Sequence, residues 1–178
     1  MEKNNEKLTS YLLTFILVFI YLIALIWILL FKMGVEFSYM ENRNINLIPF
    51  SEFLSDTGTV DPGGLVLNII IFIPLGLYSG LIFKSWSMVQ NTGLFLSTSL
   101  LIESIQYFIR IGAFDITDII TNTSGGILGI LLYKTIEKMA GNPYRAQKWI
   151  NIIATAGSLT MIAILILLKM NRLPIRYQ

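Results

Sequence analysis

Apolar residues run almost unbroken through five stretches, each close to the roughly 20 residues needed to cross a bilayer. They are Tyr11–Phe31, Leu65–Phe83, Thr92–Ile109, Ile119–Ile136 and Trp149–Leu168. This pattern predicts an all-α fold, a polytopic membrane helix bundle of about five spans. The first stretch follows Lys3 and Lys7, as a secretory leader would. Its apolar run is far longer than a leader's, and no small-x-small cleavage site follows at Lys32-Met33-Gly34. It therefore reads as an uncleaved signal anchor. The third and fourth stretches carry Glu103, Gln106 and Asn122. Such groups are costly against lipid, so both helices should lie inside the bundle.

The connections differ in character. Residues 32–64 form a long, acidic first loop. Within it, Pro49-Phe50-Ser51-Glu52-Phe53-Leu54 could form a short amphipathic helix resting on the membrane interface. Asp61-Pro62-Gly63-Gly64 is a turn into the second span, and Pro74 should kink that span just before Gly76. The fourth connection is basic, with Lys134, Lys138, Arg145 and Lys148 against Glu137 alone. This cluster favours the cytoplasmic side and places the N-terminus there too. The first loop and the turn between Arg110 and Asp118 then face outward. Lys169, Arg172 and Arg176 also fall outside, at variance with the positive-inside rule.

Chemistry gathers at the outward end. At about 100° per residue, Glu103, Gln106 and Arg110 share one helix face, and Asp118 and Asn122 share another. Span counting brings both stripes to the surface that holds Asn46, Pro49, Asp115 and Asn68. A guanidinium can bind a carboxylate or a phosphate in bidentate fashion. Arg110 is expected to pair with Glu103, with Asp115 and Asp118 competing. Each polar residue also has a plainer use, as a helix cap or an interhelical hydrogen bond. Gly125 and Gly129 lie on the side of Asp118 and Asn122. Their spacing is expected to pack the fourth span against the third, with homodimerisation as the rival use.

Composition narrows the classes. Only 13% of the 178 residues are charged, against roughly 25% in soluble domains, so the chain reads as one integral membrane domain over residues 1–178. A net charge of +2 with dispersed basic residues gives no reason to expect nucleic-acid binding. Cysteine and histidine are both absent, which removes thiolate chemistry, the commonest general base and the usual zinc ligands. The remaining methionines and aromatics suggest packing or lipid contact, so no cofactor and no resident metal are expected.

Three segments in order, NLIPF (Asn46–Phe50), NIIIFIPLG (Asn68–Gly76) and ESIQYFIRIGAFDITDIITNTSGGILG (Glu103–Gly129), resemble the VanZ-like family of small bacterial membrane proteins. The matching region is 46–129. Residues 149–178, a further transmembrane helix and basic tail, match only in hydropathy. The resemblance implies a multi-pass protein of the bacterial cytoplasmic membrane. The family's founding member gives low-level teicoplanin resistance without remodelling the peptidoglycan precursor. The family's polar and small positions carry over to Asn46, Pro49, Asn68, Pro74, Gly76, Glu103, Gln106, Arg110, Asp115, Asp118, Asn122 and Gly125. No catalytic role comes with them.

Three functions fit these residues. The first is an outward polar pocket that binds membrane lipid, a lipid-linked cell-wall precursor or a lipoglycopeptide, with Arg110 meeting an anionic group. The second is an intramembrane enzyme on a lipid or lipid-linked glycan, with Glu103 and Asp118 as acid and base; these two and Asp115 could also gather Mg²⁺. The third is a transporter or channel subunit, disfavoured by the lack of an inverted repeat. Because the chain has no native cysteine, single cysteines report its topology directly. Cysteines at Asp56 and Asp115 should react with an impermeant thiol reagent on intact cells, and one at Arg145 should not. The reverse pattern would invert the assigned orientation.

Overall fold

A computed structural model describes residues 2–31, 44–51 and 62–169. Among them, five long helices follow the five apolar stretches: α1 (Glu2–Phe31), α2 (Pro62–Ile82), α3 (Met88–Ile109), α4 (Ile116–Ala140) and α5 (Pro143–Lys169). The only extended pairing among the described residues is β1 (Ile45–Asn46) with β2 (Phe114–Asp115), two residues each and parallel. The fold is thus all-α. Three of the described helices, α1, α2 and α3, contain segments long and apolar enough to cross a membrane.

Helix ends overrun the apolar runs because polar residues cap them. Ser87 and Gln90 form a reciprocal capping box at the start of α3, which satisfies two N–H groups that the helix leaves unpaired. α4 stops at Gly141, which takes φ 65° and donates its N–H to the Glu137 carbonyl at 3.0 Å. Asn142 Oδ1 then accepts from Tyr144 N–H at 2.7 Å, with Pro143 first in α5. This is a left-handed stop followed by an N-cap with proline just inside.

The chain divides into two compact units. The larger, Leu25–Thr135, holds α2, α3, both strands and most of α4. Its core includes the fully buried rings of Phe72 and Phe95. Here the glycine stripe departs from the expectation that it joins the fourth span to the third. Gly125 lies against the backbone of Ile69, and Gly129 against Ile73 and Gly76, all on α2. Only Gly126, between the stripe residues, turns to α3, where it meets the Phe95 ring. The side that bears Gly125 and Gly129 must therefore face α2, because those are the positions without side chains where that helix comes closest. α2 continues through Pro74, whose ring removes the usual donor to the Ile70 carbonyl.

The smaller unit comprises Met1–Ala24 with Ile136–Gln178. Its described part holds a ladder of uncharged polar groups between α1 and α5. Gln147 Nε2 donates to Thr14 Oγ1 at 2.9 Å, and Thr14 Oγ1 donates to Asn151 Oδ1 at 3.0 Å. Asn151 Nδ2 donates to the Ser10 carbonyl at 3.1 Å. All four residues are buried. At the ladder's edge, exposed Lys148 lies 3.8 Å from Glu6 and over the Tyr144 ring.

A Cβ on Gly76 would lie 2.8 Å from the Gly129 Cα and overlap the Gly126 carbonyl. Gly76→Ala should therefore lower the thermal midpoint in detergent by an amount equivalent to about 1–3 kcal/mol, the range for overpacking. Gly93→Ala, which meets nothing within 4 Å, should leave the midpoint unchanged or raise it. Equal effects of the two substitutions would remove the close approach of α2 and α4.

Candidate functional site

The site begins where α3 ends. Ile111 N–H donates to the Gln106 carbonyl at 3.1 Å, and Arg110 N–H reaches back to the carbonyls of Gln106 and Tyr107. Arg110 takes the left-handed conformation, φ 60° and ψ 33°. Glycine usually fills that position, because a Cβ there costs about 1–2 kcal/mol.

Beyond this turn the chain pairs with the first loop. Phe114 stands opposite Ile45 and Asp115 opposite Asn46, and Phe114 N–H donates to the Asn44 carbonyl at 3.0 Å. A ladder this short needs side chains to hold it. Asn46 Nδ2 donates to Asp115 Oδ2 at 3.0 Å and to Ser51 Oγ at 2.7 Å, while Asn46 Oδ1 accepts from Ile48 N–H at 3.2 Å. Ile48 to Ser51 form a turn closed by Ser51 N–H to the Ile48 carbonyl at 3.3 Å, with Phe50 at φ 55°. Pro49 sits second in this turn, where its fixed φ is an advantage. The amphipathic helix expected from Pro49 opens with a turn at Pro49 and Phe50, Ser51 is helical, and the rest of it lies outside the described residues.

Asp115 serves both sides of the junction. Its Oδ1 accepts from Thr117 N–H at 2.7 Å and so caps α4. Thr117 Oγ1 in turn accepts from Phe50 N–H at 2.9 Å. Glu103, only 2% exposed, accepts the Asp115 backbone N–H on Oε2 at 3.0 Å. Further polar pairs join the helices. Asn68 Nδ2 on α2 donates to Asp118 Oδ1 on α4 at 2.7 Å. Asn122 Nδ2 donates to Ser99 Oγ on α3 at 2.9 Å, and Gln106 Nε2 donates to the Leu29 carbonyl of α1 at 2.9 Å.

Asn46, Glu103 and Asp115 therefore form one network, and Asn68–Asp118 and Asn122–Ser99 are further polar pairs between helices. Arg110 stands apart from the expected ion pair. It is exposed, and among the described residues no carboxylate lies within 4.0 Å of its side chain. α3 ends at Ile109, so the face shared by Glu103 and Gln106 does not extend to Arg110. Nor do three carboxylates gather to hold a metal ion among the described residues. Sequence reasoning missed Ser99, Ser51 and Thr117. Ser99 lies four residues before Glu103 on the same face, a signal that continuing the stripe would have found. The two small hydroxyl residues leave no comparable signal.

Fold and site together define a helical membrane protein that buries its polar side chains in pairs between helices. A family model described as VanZ/LLP1 matches residues 18–137, and the chain belongs to that family. It is similar to Protein VanZ of Enterococcus faecium, 37% identical over 151 residues that cover 83% of this chain and 87% of that protein. No solved structure matches the chain.

A double-mutant cycle with Asn46→Ala and Asp115→Ala, followed by thermal unfolding in detergent, should give a coupling of about 1 kcal/mol. Strictly additive effects would dissolve the link between the first loop and the start of α4.

Proposed function

We propose that this protein lowers susceptibility to teicoplanin-type lipoglycopeptide antibiotics. Its five helices cross the bacterial cytoplasmic membrane with the N-terminus inside, and the junction of β1, β2 and α4 faces outward. There a polar site binds an amphiphile: a lipid-linked cell-wall precursor, a membrane lipid or the antibiotic itself. Membership of the VanZ/LLP1 family supports the link to resistance.

The observation that carries the site is the contrast between Arg110 and its surroundings. Glu103, Asp115, Asn46 and Thr117 are bonded to one another and fix the junction. Arg110 is held on a turn that costs backbone energy and is exposed beside that fixed framework. Strained backbone tends to persist where surrounding structure over-determines it and function uses it. The guanidinium thus meets an anionic group on the amphiphile. Glu103 acts as the brace of the turn. The rival reading is Glu103 and Asp118 as acid and base; each carboxylate accepts a bond from a neighbouring protein N–H donor, which suits a bracing role.

The left-handed turn separates stability from function. Arg110→Gly relieves the backbone cost and should stabilise the protein by about 1 kcal/mol, yet abolish protection against teicoplanin. Glu103→Gln, at equal membrane abundance, should also weaken protection. Full protection with both substitutions would reject the site.

A further inference from the structure

Below the junction, α3 and α4 meet in layers four residues apart, about 6 Å in rise. Glu103 holds the Asp115 N–H at the top. Ser99 bonds Asn122 in the next layer. Phe95 closes the third, its ring lying where a side chain on Gly126 would be. The middle layer is buried, with Ser99 at 0% and Asn122 at 1% exposure. Asn122 spends its amide N–H on Ser99, and among the described residues its Oδ1 accepts from no group. A buried amide oxygen left so carries the whole cost of its lost solvation. That cost is greater inside a membrane bundle, where bulk water is excluded.

We infer that Asn122 Oδ1, beside Ser99, is a binding site for one uncharged hydroxyl donor. The acceptor selects the ligand: a carbonyl or an anion would repel it, whereas an O–H satisfies it. Two sources carry that group, solvent water and a headgroup hydroxyl of a bound amphiphile. The site itself does not depend on the proposed function; only the second source rests on that reading.

Radiolytic hydroxyl labelling of the full-length protein in lipid nanodiscs tests this, read by mass spectrometry at Phe95. Radiolysis of a bound water yields hydroxyl radicals that modify the ring beside it, although bulk solvent does not reach that ring. Phe95 should be modified in the wild-type protein, and the modification should be lost in Asn122→Leu and in Ser99→Ala. An unmodified Phe95 in the wild-type protein overturns the site, as does modification that persists in both variants. Loss of labelling on adding teicoplanin supports the site with the antibiotic as second source; persistence supports it with water as the occupant. Asn122→Leu should also lower the thermal midpoint, because it evicts a bonded ligand. A higher midpoint would mean that leucine had relieved a dry, unbonded amide, and would end the inference. Phe95 silent while Arg110→Gly still abolishes protection would sink this site alone.

Discussion

A carboxylate within a membrane bundle must find its hydrogen bonds from protein, and Glu103 finds one on the Asp115 backbone N–H at 3.0 Å. That bond joins the last turns of α3 to the residue that also caps α4 and holds Asn46 of the first loop. The facing ends of two consecutive helices, and a first loop 69 residues away in sequence, are therefore fixed by one acidic side chain and the residue that it grips. Without it, the two-residue parallel ladder would have to hold the junction, and a ladder that short is marginal.

The polar pairs deeper in the larger unit depend on a second constraint, the absence of side chains where α2 and α4 touch. Gly76 and Gly129 bring the two backbones together, close enough for the amide of Asn68 to reach Asp118 at 2.7 Å. Gly126 makes room for the Phe95 ring on the α3 side. Small residues and buried polar groups thus act as one device, since lipid supplies no hydrophobic drive for helix association.

Much of this could be read from the chain alone. The five apolar stretches became five helices, because periodic burial and length are visible in hydropathy. Counting spans brought Asn46, Asn68, Asp115 and Asp118 to one surface; the bonds of Asn46 with Asp115 and of Asn68 with Asp118 came from the structure. Other features were beyond pattern. The left-handed turn at Arg110 carries no glycine to announce it, and it takes the guanidinium off the face of Glu103. The glycine stripe faces α2, a choice made by which backbone can approach and not by the spacing itself. The ladder of Ser10, Thr14, Gln147 and Asn151 hid among residues that read only as slightly polar members of apolar helices.

That ladder has a consequence for the conditions the protein can bear. Its hydroxyls and amides neither gain nor lose protons in the range where bacteria live, and they hold no net charge for ions to screen. Brine can loosen the exposed contact of Lys148 with Glu6. The grip between the first halves of α1 and α5 should be indifferent to salt.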